Sequence, residues 1–282
     1  MKPIAKTCAT ATTTPLHSDE ILGFGSAAPS KQIGPARGPL RYLKDAAKGI
    51  LRAQHYRIVY APTGPIAGLN LIDDLRQIIE SPKPVCFDVG ANEGQTIELL
   101  EKTFAEPKIY SFEPAKETFG RLKRQKFRSE VILKDLALGS ANGRMTFNNY
   151  EDSCLSSFLE LDGNLENRFR GVQIKNREIV EVRTIDSVVE EYGIERIDLL
   201  KIDTQGYDLE VLRGGIEALQ SGVIGSVLVE LNFVKMYESQ SDANAIIQFL
   251  TERNFPLVDY YEKFRQSHAL AWCLGLFTRK IE

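Results

Sequence analysis

Three stretches of the 282-residue chain combine carboxylates with glycines at spacings that a small polar ligand can use. The first is Phe87-Asp88-Val89-Gly90-Ala91-Asn92-Glu93-Gly94, which follows a short apolar run. A glycine placed there can take positive φ and lets a ligand approach the backbone. Asp88 can order the turn or meet a ligand ammonium group. The spacing is not G-x-G-x-x-G, which seats a pyrophosphate at a helix N-terminus. A ligand with an amino-acid end makes no such demand. The plainer reading is a strand-to-helix turn in which Asn92 and Gln95 form a capping box.

The second stretch is Glu113, 25 positions beyond Asp88 (113 − 88), after Ile109-Tyr110-Ser111-Phe112 and before Pro114. A carboxylate at the end of a second strand can accept hydrogen bonds from two ribose hydroxyls, each contributing about 1.5–3 kcal/mol. Its plainer reading is a carboxylate facing a helix dipole. The third is Asp198-Leu199-Leu200-Lys201-Ile202-Asp203-Thr204-Gln205-Gly206-Tyr207-Asp208. The two-residue strand period puts Lys201 and Asp203 on one face, with Asp203 at the strand's carboxyl end. Asp203 or Asp208 as a cap of the following helix is the alternative.

These groups need strands to carry them. Val85 to Val89, Ile109 to Phe112, Val131 to Leu133, Ile197 to Ile202 and Val227 to Leu231 read as strands. Between them, helical spacing is carried by Leu71 to Ile79, by Ile97, Leu100 and Phe104, by a basic helix from about Ala115 to Lys126, and by a helix from about Asp186 to Tyr192. One further helix carries Leu209, Leu212, Ile216 and Leu219, and another Ile246, Ile247 and Leu250. Asn70 and Asp73 mark the first helix start. Residues 257–261 and 271–277 predict a closing hairpin. Alternating strands and helices imply an α/β fold: a doubly wound, mostly parallel sheet with helices on both faces and an antiparallel C-terminal hairpin. Residues 142–185 break the rhythm, with Met145–Phe147 and Ile179–Val182 as antiparallel strands. A connection this long predicts a functional insert or lid. Residues 1–40 read as a flexible arm, 41–69 as an N-terminal extension and 70–282 as the catalytic domain.

Composition narrows the classes. A net charge of −3 gives no reason to expect nucleic acid, and the basic run Arg121–Arg128 reads as a solvated helix face. Cys8, Cys86, Cys154 and Cys273 form no metal knuckle or redox pair and read as reduced thiols. His17, His55 and His268 are scattered, so no protein-built zinc site is expected. The absence of a long apolar run or a signal-peptide core predicts a cytoplasmic protein without a membrane span.

The residues resemble the FkbM-type methyltransferases, a class I, Rossmann-like group that uses S-adenosylmethionine. The resemblance rests on the Phe87–Gly94 turn, Ser111-Phe112-Glu113-Pro114, Ala137-Leu138-Gly139, Thr184-Ile185-Asp186, Leu200-Lys201-Ile202-Asp203-x-x-Gly206, Glu210-Val211-Leu212-Arg213-Gly214 and Val229-Glu230-Leu231. It spans roughly Pro84 to Glu282. The family often has Glu where this chain has Gln205, and Glu at Asp208. Ser156 and Ser157 look like a serine pair of the family's middle segment. The resemblance implies methyl transfer to a hydroxyl of a sugar, polyketide, glycan or other small molecule. Asp88, Gly90, Asn92, Gly94, Glu113, Asp135 and Leu136 are the expected cofactor-binding residues, and Asp203, then His268, the expected catalytic ones. A divalent metal held by carboxylates is left open, because oxygen ligands need no sequence spacing. Other readings are a non-catalytic cofactor-binding scaffold and a nicotinamide-dependent oxidoreductase. The latter lacks its phosphate-cradling loop.

Overall fold

The computed structural model describes residues 68–163, 171–266 and 268–280. The expected arm, most of the N-terminal extension, His17, His55 and Cys8 lie outside the described residues. In chain order the elements are α1 (Leu71–Ile78), β1 (Val85–Val89), α2 (Gln95–Thr103), β2 (Lys108–Phe112), α3 (Lys116–Leu122), β3 (Glu130–Lys134), β4 (Ala137–Leu138), β5 (Gly143–Tyr150), β6 (Ile174–Arg183), α4 (Ile185–Tyr192), β7 (Ile197–Ile202), α5 (Asp208–Arg213), α6 (Ile216–Ser221), β8 (Ile224–Asn232), α7 (Ala243–Thr251), β9 (Leu257–Gln266) and β10 (Ala269–Thr278).

Seven strands form the main sheet in the order β3-β2-β1-β7-β8-β10-β9. β3, β2, β1, β7 and β8 run parallel, and the β9–β10 hairpin closes one edge antiparallel. This is the expected Rossmann-like α/β sheet. The chain moves outward from β1 through β2 to β3, then restarts beside β1 at β7. That reversal opens a crevice at the carboxyl ends of β1 and β7, where ligands of such sheets bind.

Side-chain alternation sorts the core into two layers. Phe87, Val89, Tyr110, Phe112, Leu200, Ile202, Val227 and Val229 meet α4, α5, α6 and α7. Cys86, Ile109, Leu199 and Leu228 face α1, α2 and α3 through Leu75, Ile97, Leu100 and Leu122. On this second face the next residues toward the carboxyl ends are Ser111, Asp88 and Lys201, which lie side by side in register. An apolar face that turns polar at one end marks where the site must be.

β4, β5 and β6 form a separate three-stranded sheet in the order β4-β6-β5, with β5 and β6 antiparallel and Met145 opposite Val180. The return of the insert adds two bridges, Asn148 with Ser157 and Leu161 with Tyr237.

Several expectations are corrected. Gly94, with φ +87, caps α2, and no side chain does. Asn92 itself has φ +45, so it lies in the turn and forms no capping box. The basic helix stops at Leu122, because tight turns from Arg121 and Leu122 carry the chain to Phe127, which packs on the core. Lys123, Arg124 and Lys126 are exposed beyond the helix end. The single helix expected across 209–219 is two, α5 and α6, parted at Gly214-Gly215. The Asp186 carboxylate accepts from Glu217 N and Ala218 N and so starts α6 afresh. Cys86 and Cys273 are buried free thiols. Asn70 does cap α1, accepting from Ile72 N at 2.9 Å. No helix of the described residues is long and apolar enough to cross a membrane.

Candidate active site

β1 delivers Asp88 to the crevice fully buried. Its Oδ2 accepts from the Ser111 hydroxyl at 2.7 Å, while Oδ1 has no hydrogen-bond partner. Burial pushes the Asp88 carboxyl above the ordinary aspartate range, opposed by Ser111 and the Lys201 charge. The turn above it is shaped by its neighbours. Gly90 N and Ala91 N both donate to Phe112 O at 3.0 Å, and Asp203 N donates to Val89 O at 3.0 Å. Gly90 has φ +86, and a Cβ there would fall inside the Asp203 carbonyl. Only glycine lets the β7 end lie this close to the turn.

β2 delivers Glu113, also buried. Oε2 accepts from Asn92 N at 2.8 Å and Oε1 from Ala115 N at 2.9 Å, so this carboxylate ties the first turn to the start of α3. Each oxygen keeps a lone pair for one more donor. Burial pushes its pKa up to about 7 against the pull of those two N–H bonds. Asp135 and Leu136 follow β3, exposed and half-buried respectively. They adjoin Lys134, whose carbonyl accepts from Glu113 N at 3.0 Å, so they share this edge.

β7 delivers Lys201 and Asp203. Lys201 is buried, and its Nζ lies 3.3 Å from Asp203 Oδ2. Burial pulls the lysine pKa down, yet Asp203, Asp88, Glu230 and Asp208 together hold it above the ordinary value. Lys201 is therefore a cation at neutral pH and no base. Asp203 Oδ1 accepts from Gln205 Nε2 at 2.6 Å, and its side chain is 33% exposed, the accessible carboxylate of the group. Asp208, by contrast, is fully engaged in holding the loop: Oδ1 accepts from Thr204 N at 2.9 Å and Oδ2 from Gly206 N at 3.1 Å. His268 sits exposed in the β9–β10 turn, six positions before Leu274, the partner of Glu230. That is about 20 Å of strand, and no hydrogen bond joins it to Asp203.

The insert reaches both halves of the crevice. Ser153 Oγ donates to Asn92 Oδ1 at 3.1 Å, and Asn92 Nδ2 donates to Cys154 Sγ at 3.3 Å. Ser157, fully buried, donates to Gln205 O at 2.9 Å. Ser156 Oγ accepts from Tyr150 N at 3.1 Å, a turn contact. The sequence thus flagged the serine pair, and the structure gives it a holding role. Sequence reasoning missed Ser111, which the in-register row with Asp88 could have shown. It also missed Tyr237, whose local sequence carries no signal. Among the described residues no three His, Cys, Asp or Glu side chains are grouped to hold a metal.

A doubly wound sheet with acidic ends on β1, β2 and β7 defines a class of ligand-binding α/β enzymes. The chain belongs to the FkbM methyltransferase family: the Methyltransferase FkbM domain matches residues 88–257. It is 26% identical over 239 residues to the 2-O-methyltransferase NoeI of Sinorhizobium fredii, covering 79% of this chain and 93% of that one. It is 29% identical over 164 residues to the hexuronic acid methyltransferase AglP of Haloferax volcanii, covering 57% of this chain and 62% of that one. A solved N-methyltransferase of Burkholderia thailandensis with S-adenosylhomocysteine bound is 12% identical. The match covers 90% of this chain and 95% of that one with a TM-score of 0.37, too low to support the fold or the site.

Proposed function

We propose that the chain transfers the methyl group of S-adenosylmethionine to a hydroxyl oxygen of a sugar or another small molecule. The observation that carries this reading is the pairing of Asp88 and Glu113 across the Gly90 turn with Asp203 one strand away. The residues fit the donor. The buried Asp88 Oδ1 lacks a partner, and each Glu113 oxygen has acceptor capacity left for one ribose hydroxyl. Asp88 places negative charge beneath the turn, where the donor's ammonium belongs. Gly94, Asn92, Asp135 and Leu136 complete the wall. The printed activities of NoeI and AglP support a sugar acceptor.

When bound, the donor supplies an electrophilic methyl on sulfur, with S-adenosylhomocysteine as the leaving group. The protein must align the acceptor oxygen in line with that methyl, which supplies much of the acceleration. The hydroxyl also has to lose its proton. Asp203 Oδ2 takes it, since Lys201 is protonated and Asp88 and Glu113 are buried below the cofactor side. The insert and the residues after β8 shape the acceptor pocket.

The test is calorimetric titration with S-adenosylhomocysteine on wild type and Glu113→Ala, followed by labelled-donor assays over hydroxylated sugars. Micromolar binding weakened at least tenfold by Glu113→Ala supports the cofactor site. A folded wild type that binds no S-adenosylhomocysteine ends the methyl-transfer reading.

A further inference from the structure

Asp203 is the accessible carboxylate of the crevice, and a carboxylate acts as a base only when its oxygens are aimed. Lys201 contacts one oxygen from below and, as a compact point charge, fixes no plane. The second contact, from Gln205 Nε2 to Oδ1 at 2.6 Å, does. An amide can present either end, so something must hold Gln205 with its NH2 toward Asp203. Gln205 Oε1 lies 3.1 Å from the Tyr237 hydroxyl, which also lies 3.1 Å from Leu155 O. Flipping the amide would set Oε1 against the Asp203 carboxylate. Tyr237 is buried, and burial keeps its phenol well above its ordinary pKa, so it keeps its single O–H proton, which Gln205 Oε1 and Leu155 O share.

The backbone is held as firmly. Gln205 has φ +56, a left-handed conformation that a side-chain-bearing residue keeps only when its surroundings dictate it. Ser157 Oγ grips its carbonyl at 2.9 Å. Gly206, φ +91, leaves room for Leu159 and the Tyr237 ring. Leu155, Ser157 and Leu159 all come from the returning arm of the insert.

We propose that Gln205 and Tyr237 are positioning residues for Asp203, with the insert as the support that holds them. The assignment rests on the reading of Asp203 as the carboxylate that faces the acceptor hydroxyl. A glutamate at position 205 would set a second carboxylate beside Asp203. Glutamine supplies a donor that no pH within the stable range removes.

The test needs no acceptor. In the full chain, 13C carboxyl resonances are titrated, with the Asp203 signal identified by its loss in Asp203→Asn. Among the described residues, the charged groups that face Asp203 are Lys201 on β7, Asp88 on β1, Asp208 on α5 and Glu262 on β9, and no variant alters them. Gln205→Leu is expected to raise the Asp203 midpoint by about one pH unit, because a bond to the charged form is lost. Tyr237→Phe, which keeps the buried ring, is expected to raise it by a smaller, measurable step. Gln205→Glu is expected to give a coupled, two-step titration. On an acceptor found by the labelled-donor assay, the same variants lower kcat at least about tenfold and leave the donor KM unchanged. Midpoints unchanged in folded Gln205→Leu and Tyr237→Phe overturn the proposal; if Gln205→Leu fails to fold, Tyr237→Phe decides alone. Failure of S-adenosylhomocysteine to bind wild type would overturn methyl transfer instead, and the titration still reads the network.

Discussion

Glu113 holds the Gly90–Asn92 turn to the start of α3 by accepting two N–H bonds, and burial pushes its pKa up to about 7. Its folded value lies above the ordinary 4.5, so the folded state prefers the protonated form. The stability this gives is complete below about pH 4.5 and is lost as pH rises to about 7, a change of about 3 kcal/mol at most. Thermal melts at pH 5 and pH 8 should show that drop in wild type and lack it in Glu113→Ala. In the proposed function ribose hydroxyls donate to the ionised form, so cofactor binding should lower this pKa. S-adenosylhomocysteine is then expected to bind more tightly as pH rises from 6 to 8 and to release part of a proton near pH 7. Calorimetry in two buffers of different ionisation heat reads that release. Asp203→Asn should keep cofactor affinity within twofold and lower kcat about 10²–10⁴-fold, the usual worth of a general base. An equal loss of cofactor binding would place Asp203 on the donor side instead. The acidic positions were visible in the sequence because their spacing after apolar runs fixes them at strand ends. Their division of labour was not, since Asp208 is buried under backbone N–H groups that fold back onto it while Asp203 stays partly exposed beside Lys201 and Gln205.

The turns and caps are where element-scale chemistry is decided. Gly90→Ala forces a Cβ into the Asp203 carbonyl at φ +86. The β1 turn and the β7 end must then part, at a cost above about 2 kcal/mol, the scale of backbone strain plus a lost bond. Denaturant melts should show this, together with loss of cofactor binding. Asp186→Ala removes the acceptor for Glu217 N and Ala218 N at the start of α6. A cap of this kind is worth about 1 kcal/mol, and the same melts measure it; the cofactor affinity should not change. The Thr184-Ile185-Asp186 motif thus serves helix starts, with Thr184 capping α4 and Asp186 capping α6. Strand and helix positions followed from periodicity, since a face of Leu, Ile and Val has to be buried. The Gly214-Gly215 break and the short basic helix did not. Both depend on contacts made by residues dozens of positions away.

Across the whole molecule, the small β4-β6-β5 sheet and the main sheet are joined at close approaches of backbone. Gly214 packs against the Gly139 carbonyl with no space for a Cβ, and Asp186 N donates to Gly214 O at 2.9 Å. Gly214→Ala is expected to lower the melting temperature by about 4–8 °C, corresponding to roughly 2 kcal/mol in a chain of this size; an unchanged melting point would show that the junction yields freely. The pairing of Gly139 and Gly214, both within motifs of the family resemblance, joins parts of the chain 75 positions apart (214 − 139). By itself the sequence determined the α/β class, the strand order of the motifs and the carboxylates that crowd one crevice. Local periodicity, turn chemistry and spacing are written in neighbouring residues. The tertiary structure alone decided that Ser111 and Lys201 flank Asp88, that Asn92 turns toward Ser153 rather than capping a helix, and that Tyr237 reaches Gln205. Those contacts arise from strand register and from the path of the insert, and both are set only when the whole core packs.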